Sequence, residues 1–440
     1  MRRSEFTGRA VLLALGVVEL AFTLLAARYV DRGASFPRYL LFYLAMGIVW
    51  VVASYVALRS SSWQRSEVLL ILALGLAMRV AFLRTEPVLS DDIFRYVWDG
   101  RVQHQVGNPY LYPPQAAELA SLRDALYQEI NNKDIPTLYP PLMETSFFLV
   151  TSLSERVLFM KAFFVLFDVG VALSLLALLD ALALNRLRVV VYLWCPLGIV
   201  EIAGSGHGDV LGVFFLVFAL WAFASKRERL WSALLTASGL AKLVGFALSP
   251  LFVRYVRPRL YLLMLFLTVF AVLPYVSAGA LAFRGLREYA NRWRANDSLF
   301  DLLYAATGSS LDKAKLIVAT SLVVLVLAFI WKKTHPIPAC YWTLGAILLL
   351  TPTMHPWYLL WILPLLALFE SPAWMFLTVS VALSYHAAYL AEPGQPWHEL
   401  LWVKALEYLP FYVLGVSSLL KLARSKAPGL RLSLGYTNGP

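Results

Sequence analysis

AVLLALGVVELAFTLLAA, residues 10–27, is an apolar run with a single charged residue, and stretches of this kind decide the fold. A membrane-spanning helix needs about 20 consecutive apolar residues, so this run has the length of one span. Comparable runs recur along the chain between short polar breaks, for example YLLFYLAMGIVWVVASYVAL at 39–58 and LIVATSLVVLVLAFIW at 316–331. We predict an all-α polytopic membrane protein that forms a single integral-membrane domain over residues 1–440.

The composition supports this class and excludes others. The chain has 440 residues, of which 60% are hydrophobic and 15% charged, whereas a soluble domain carries about 25% charged residues. The net charge of +11 comes largely from arginines and lysines in the breaks between apolar runs, as expected of cytoplasmic loops. No basic stripe is interleaved with aromatic residues, so we predict a lipid bilayer and no nucleic acid as partner. Both cysteines lie in or beside apolar runs, which argues against a disulfide framework.

The basic breaks also predict a topology. Placing them in the cytoplasm puts the N-terminus inside and makes 84–140 and 278–313 extracytoplasmic loops. This arrangement gives about twelve spans, including one over 189–203 and one over 357–369, with interfacial helices in the first loop. The run 142–153 is too short to span the bilayer, and 230–253 lies between two basic breaks, so we interpret both as re-entrant. The first run is followed by no cleavage pattern and is predicted to be retained. The opposite orientation of the whole protein in the membrane stays open as an alternative.

The first long loop begins with two adjacent aspartates, Asp91 and Asp92. The residues that follow place polar side chains at helical spacing, at Asp92, Arg95, Tyr96 and Asp99. We therefore predict a helix capped by Ser90 or Asp91, with its apolar face on the bilayer interface. Capping accounts for only one of the two carboxylates. Neighbouring carboxylates raise each other's pKa, which suits a proton acceptor near neutral pH, so we predict that one aspartate is a general base.

Other polar groups fall on the same predicted side of the membrane. GSGHGD at 204–209 carries His207 and Asp209 among small residues, which allow close approach of backbone or ligand. Lys242 interrupts an apolar run and needs an anion or a water-filled pocket. A structural carboxylate is one possible partner, but none lies at helical spacing nearby, and a phosphate is the obvious ligand. His355 precedes a proline, and a role as a cap or as an interfacial residue is as plausible as a functional one. The remaining candidates are loop residues beside the site: Tyr139, Arg292 and Asn296.

This set of groups favours group transfer from a lipid phosphate. The sequence contains no G-x-S-x-G, Walker loop or H-E-x-x-H motif. One carboxylate can deprotonate an acceptor hydroxyl, while lysine, arginine and histidine stabilise a departing phosphate. The alternative is a transporter or flippase for a lipid-linked sugar or another anion, which would also need buried charges. No repeated halves are evident, and the polar groups gather in the outer loops, which favours the transferase.

Several motifs resemble those of a known family: SDDIFRYVWDGRVQHQVGNPYLYPP, YPPL, GSGHGDV, AKLVGFALSP and HPWYLLWILP. Together they resemble a bacterial branch of the GT-C superfamily of integral-membrane glycosyltransferases, over about residues 10–420. These proteins are usually described as dependent on polyprenyl-phosphate sugars and are often mannosyltransferases. The branch is distantly similar to the GPI mannosyltransferase I family.

The resemblance implies a function and roles for the candidate residues. It implies inverting transfer of a sugar from a polyprenyl-phosphate donor to a glycan or lipid-linked acceptor, on the outer face of the inner (plasma) membrane. Asp91 or Asp92 would be the base, and Lys242 a phosphate contact. His207 and Asp209 would form a second polar cluster at the donor site, which Arg95 and His355 would complete. Members of the superfamily differ in their use of a divalent cation, so the use of a metal ion by this protein stays open.

Overall fold

The computed structural model describes residues 2–30, 35–390 and 399–424. Within these ranges the chain is built from helices and loops, and its strand-like pairing is one isolated bridge between Ala295 and Thr353. The prediction of an all-α protein is confirmed. The α-helices in the first half are α1 Arg2–Tyr29, α2 Phe36–Arg59, α3 Arg65–Leu83, α4 Asp92–Val106, α5 Ala125–Glu129, α6 Pro141–Leu153, α7 Val157–Ala181, α8 Val190–Leu193, α9 Pro196–Gly198 and α10 Asp209–Ala224.

The second half continues in the same manner. Its α-helices are α11 Glu228–Lys242, α12 Val244–Leu248, α13 Arg259–Val272, α14 Arg284–Arg292, α15 Leu299–Ala306, α16 Leu311–Trp331, α17 Pro336–Leu350, α18 Pro372–Ser380, α19 His386–Leu390 and α20 Leu401–Arg424. A π-helix covers Ile199–Gly204. Short 3-10 helices cover Ala117–Leu122, Arg186–Val189, Ser249–Phe252, Leu273–Phe283, Pro356–Trp361, Leu363–Ala367 and Val381–Tyr385.

Seven helices in the described ranges are long and apolar enough to cross a membrane, which confirms a polytopic membrane protein. They are Ala10–Tyr29, Phe36–Arg59, Arg65–Leu83, Val157–Ala181, Arg259–Arg292, Leu311–Trp331 and Leu401–Lys421. An eighth span results if one bent helix pair is counted as a single crossing. The sequence count of about twelve included shorter runs, three of which form helices of 10–17 residues. The side of the membrane on which each loop lies stays a prediction.

Two predicted spans differ in detail from the structure. The run 189–203 is not one straight helix, because Arg186–Leu193 and Pro196–Gly204 meet at an angle of 55°. A proline inside a helix lacks the N–H that would continue the hydrogen-bond ladder, which explains a bend at Pro196. The run 357–369 forms two 3-10 helices rather than one long helix.

The two predicted re-entrant segments are helical, and the second one is broken. The run 142–153 lies within the 13-residue helix α6. The segment 230–253 is helical through Lys242, and the helix then ends at Leu243, whose φ of 45° is left-handed. A non-glycine residue rarely adopts this conformation, so Lys242 is held at a sharp corner of the chain.

The chain divides into two compact units. The first comprises the described residues within 1–78, 175–197 and 363–440, and the second comprises 79–174 and 198–362. In the first unit, the indole of Trp50 donates to the carbonyl of Val191 at 3.0 Å, and that of Trp194 donates to Ile71 at 3.0 Å. The single integral-membrane domain over residues 1–440 stays a prediction.

The second unit contains the candidate site, and α4 lies at its centre. Tyr96 stacks on Phe147 of α6 with ring centroids 4.7 Å apart. On the opposite side of α4, Trp98 and Val102 are buried against Leu119. The prediction that the apolar face of this helix lies on the bilayer interface is therefore wrong for these side chains. The loop after α4 folds back over the helix, and a sequence pattern of one helix cannot reveal such a cover.

Candidate active site

The two aspartates at the start of α4 have different surroundings. Asp91 occupies the N-cap position, and its backbone carbonyl accepts from the N–H of Phe94 at 3.1 Å. Its side chain does not cap the helix and instead accepts from the amide of Asn131 at 2.5 Å. The carboxyl of Asp92 is half-buried and interacts electrostatically with groups of the GSGHGD turn and with Lys242. Asp92 thus joins the other charged groups of the site.

The electrostatic balance at Asp92 is set by burial. Burial raises the pKa of the Asp92 carboxyl above its ordinary value of 3.8. The charges of His207 and Lys242 oppose this increase, whereas Asp209 adds to it. The result is a carboxylate that accepts a proton more readily than an exposed aspartate does.

The GSGHGD turn folds tightly onto the start of α4. Gly206 has a φ of 79°, and a Cβ atom there would lie 2.2 Å from Cδ1 of Ile93. A glycine is therefore required both by the backbone conformation and by the close approach. The turn brings in His207, which is fully buried and stacks on Trp357 with ring centroids 3.8 Å apart.

Asp209 and Lys242 form an ion pair that joins α10 to α11. The ammonium of Lys242 lies 3.1 Å from Oδ2 of Asp209, and the indole of Trp361 donates to Oδ1 at 2.8 Å. The helices come close because Gly212 has no side chain, since a Cβ there would lie 2.9 Å from Cβ of Lys242. Ser238 strengthens the same contact by donating to the carbonyl of Gly212 at 2.8 Å. The sequence analysis found no partner for Lys242, because its carboxylate comes from a different helix.

Aromatic rings flank the ammonium group. It lies 5.9 Å from the ring centroid of Tyr139 and 5.6 Å from that of Tyr358. Rings at this distance attract a cation through their electron-rich faces. The hydroxyls of Tyr358 and Tyr289 are 2.6 Å apart, and Tyr358 also stacks on Trp361. Lys242 is thus fixed by one carboxylate and two rings, with 18% of its side chain exposed.

His355 belongs to the same group of side chains but carries no charge near neutral pH. Its ring stacks on Trp357 at 4.3 Å, so Trp357 is sandwiched between His355 and His207. Burial, together with the charges of His207 and Lys242, lowers the pKa of His355 to about 3. His355 can therefore offer a hydrogen bond to a ligand but not a positive charge.

Arg95 belongs to a second polar cluster, which it forms with Asp99 and Glu144. Its guanidinium donates to Asp99 at 2.7 Å and to the carbonyl of Ile135 at 3.0 Å. Burial raises the pKa of Glu144, which lies beside Asp99, well above its ordinary value. Arg95 still acts on Asp92 electrostatically, but its hydrogen bonds serve this second cluster.

The two other loop candidates lie outside the cluster around Lys242. Arg292 is half exposed and pairs with Asp134 at 2.6 Å. Asn296 is buried with a φ of 47°. Its neighbour Ala295 exchanges backbone hydrogen bonds of 3.2 and 2.8 Å with the segment 352–354, just before His355. These residues hold the loop against the site and do not contribute to its charge.

Sequence reasoning missed two residues of this site. Trp357 is a buried ring between two histidines, although a tryptophan near the end of an apolar run is expected at the membrane interface. Glu201 was not singled out, yet its carboxylate lies 3.1 Å from Nδ1 of His207. The available signal was its position inside an apolar run, where an acidic residue is costly and indicates function.

The described side chains also indicate whether the site could hold a metal ion. In the described ranges, no three His, Cys, Asp or Glu side chains come together in a group that could hold a metal ion. The carboxyl groups of Asp92 and Asp209 interact electrostatically, and the positive charge beside them is the ammonium group of Lys242.

The chain was compared with known proteins. Residues 10–257 match the family model described as alpha-(1->6)-mannopyranosyltransferase, N-terminal domain. Residues 310–419 match the model described as MptB C-terminal domain. The searches of curated proteins and of solved structures gave no match.

Proposed function

Because the chain belongs to the alpha-(1->6)-mannopyranosyltransferase family and is a multi-pass membrane glycosyltransferase, we propose that it takes mannose from a polyprenyl-phosphate donor. The acceptor is a hydroxyl of a glycan or lipid-linked sugar. The reaction inverts the anomeric centre and takes place on the extracytoplasmic face of the inner (plasma) membrane. Family membership supports glycosyl transfer of mannose, and the remaining elements are our inference from the site and the motifs.

The observation that carries the proposal is that Asp92 lies near enough to Lys242 for their charges to interact. In the reaction, the acceptor oxygen forms a bond to the anomeric carbon while the bond from that carbon to the phosphate oxygen breaks. The acceptor proton passes to the carboxylate of Asp92, and the electron pair of the broken bond stays on polyprenyl phosphate. Asp92 has the raised pKa that this task requires. Lys242 supplies positive charge on the side where the phosphate leaves.

Asp209 prepares Lys242 for this role. Without ligand, the ion pair with Asp209 prevents a partly buried ammonium from being left without a partner. Trp361 holds the other carboxylate oxygen, so Asp209 keeps its position when a phosphate takes up the remaining donors of the ammonium. The rings of Tyr139 and Tyr358 restrict Lys242 to the same place.

The aromatic side chains suit a sugar as well as a cation. Tyr358 and Trp361 stack at 4.7 Å and present ring faces beside the ion pair. The apolar faces of a hexose can contact such rings, while its hydroxyls bond to Tyr289 and His355. The polyprenyl chain extends into the bilayer. A divalent cation is not needed for the steps above, and Asp92 and Asp209 are the carboxylates to which one could bind.

The experiment measures release of polyprenyl phosphate from labelled polyprenyl-phosphate mannose by the purified protein. Removing a general base costs about 10²–10⁴-fold in rate, so Asp92→Asn should lower turnover by about that factor. Asp91→Asn is the matched neighbour and should retain most of the turnover, because we assign the base to Asp92 and the carboxylate of Asp91 accepts a hydrogen bond from Asn131. Asp312→Asn, at an exposed site, controls for removal of any aspartate.

Two outcomes contradict the proposal. Equal turnover in Asp92→Asn and the unmodified protein refutes the assignment of the base. Movement of intact donor lipid across the membrane without cleavage supports a transporter instead.

A further inference from the structure

A buried glutamate, Glu201, contacts the Nδ1 side of the His207 ring. Glu201 is 1% exposed and lies in the π-helix Ile199–Gly204. Its Oε2 lies 3.1 Å from Nδ1 of His207, and its backbone carbonyl lies 3.2 Å from the same nitrogen. The same carbonyl accepts the backbone N–H of His207 at 2.9 Å. One residue thus contacts both the ring and the main chain of His207.

These contacts fix the position of the histidine proton. Nδ1 faces two oxygen atoms that can only accept, so it must carry a hydrogen. Nε2 lies 3.1 Å from Oγ of Ser90. When the ring is neutral, Nε2 is therefore the acceptor and the hydroxyl of Ser90 is the donor. Stacking on Trp357 keeps the ring in the plane that these bonds require.

Ser90 connects His207 to the first turn of α4. Its Oγ accepts the backbone N–H of Asp92 at 3.4 Å. A hydroxyl whose hydrogen points at His207 turns its lone pairs toward this N–H. The contacts form one chain from Glu201 through His207 and Ser90 to the backbone of Asp92.

We infer that Glu201 is a positioning residue for the transfer reaction, because through His207 and Ser90 it holds the first turn of α4 and the carboxylate of Asp92. This inference rests on the proposed function. Burying a carboxylate is energetically costly. A π-helix turn is rare in proteins, and where one occurs it often lies at a functional site. Both features lie at the residue that contacts His207, beside the GSGHGD turn.

The test compares kcat and the donor KM of four proteins with the unmodified one. Glu201→Leu removes the carboxylate, and Glu201→Gln keeps a polar side-chain oxygen beside Nδ1 but removes the negative charge. Carboxylates that orient a histidine in metal sites are worth about 10–100-fold, so Glu201→Leu should lower kcat by about that factor with the donor KM within about twofold. Glu201→Gln should restore most of kcat. A residue needed only for folding would not give this division between kcat and KM, nor this rescue.

Ser90→Ala and the double variant Glu201→Leu/Ser90→Ala complete a cycle. Because both changes break one chain of contacts, the double variant should be no slower than the slower single variant. Multiplying effects would mean that the residues act independently, which overturns the inference. Should Glu201→Leu fail to fold, Ser90→Ala carries the test alone, and an unchanged kcat overturns the inference as well.

Two further proteins separate this inference from the proposed function. Glu19→Gln changes a fully buried glutamate of the first unit and should leave turnover unchanged. Asp92→Asn is measured in parallel. If Asp92→Asn is inactive while Glu201→Leu and Ser90→Ala turn over normally, only the role of Glu201 is wrong. If Asp92→Asn is also fully active, the proposed base has failed.

Discussion

Replacing Gly212 with alanine should displace Lys242 and slow transfer. The added Cβ would lie 2.9 Å from Cβ of Lys242 and 3.7 Å from its backbone nitrogen. An ordinary contact between carbon atoms is about 3.5–4.0 Å, so the two helices must separate locally by about 0.6–1.1 Å. Because Cβ is the first atom of the side chain, Lys242 cannot avoid the methyl group by rotating its distal part. The ammonium therefore moves relative to Asp209.

The size of the effect follows from this displacement. A misplacement of about 1 Å in an active site lowers the rate by about 10²-fold, so Gly212→Ala should lose about tenfold to hundredfold in kcat/KM. The assay is release of polyprenyl phosphate from labelled donor, with kcat and KM determined separately and folding checked by thermal unfolding in detergent. We expect both constants to change, since in the proposed reaction Lys242 contacts the phosphate before and during its departure.

A matched control makes the result interpretable. Gly415 lies in α20, where the nearest atom to an added Cβ is Cβ of Ala373 at 3.9 Å. Gly415→Ala therefore fits, and the greater helix propensity of alanine should stabilise the protein by up to about 1 kcal/mol. Unchanged kinetics of a folded Gly212→Ala protein would refute the conclusion that the close approach of α10 and α11 sets the position of Lys242.

Two further predictions concern stability and pH. The guanidinium of Arg79 and the carboxylate of Asp168 are both completely buried and lie 2.5 Å apart, so Asp168→Asn should lower the free energy of unfolding by about 3–5 kcal/mol. The exposed pair of Asp180 with Arg186 provides the control, since Asp180→Asn should cost no more than about 1 kcal/mol, and equal melting temperatures of the two variants would contradict this difference. Burial raises the pKa of Asp92 above 3.8, and only the ionised carboxylate accepts a proton, so kcat/KM should fall as the pH drops through that raised value. A pH–rate profile without an acidic limb above pH 3.8 would exclude Asp92 as the base.

Hydropathy alone determined the class of this protein. Long apolar runs must become helices in a bilayer, because every backbone polar group needs an internal partner there. Local patterns were also sufficient for the start of α4 at Asp92 and for a break at Lys242, since helical spacing and helix termination depend on residues close in the chain. The family motifs then led from the same local strings to a glycosyltransferase of mannose, which the family models confirm.

The number and shape of the membrane segments were predicted less well. Hydropathy counts apolar residues but does not detect a bend such as the one at Pro196 or a 3-10 conformation such as that of Pro356–Trp361. Both depend on how carbonyl groups are satisfied by neighbouring segments, which a sliding window over one segment does not contain.

Only the tertiary structure decided which polar groups act together. Asp91 and Asp92 are neighbours in sequence, but the carboxylate of Asp91 accepts from Asn131, whereas the carboxyl of Asp92 interacts with the charges of His207 and Lys242. The partner of Lys242 is Asp209 on another helix, and the approach of the two helices depends on the absence of a side chain at Gly212. Contacts of this kind act across elements distant in sequence and depend on packing to within about 1 Å. A pattern of residue types along one chain fixes the helices, whereas their packing fixes the site.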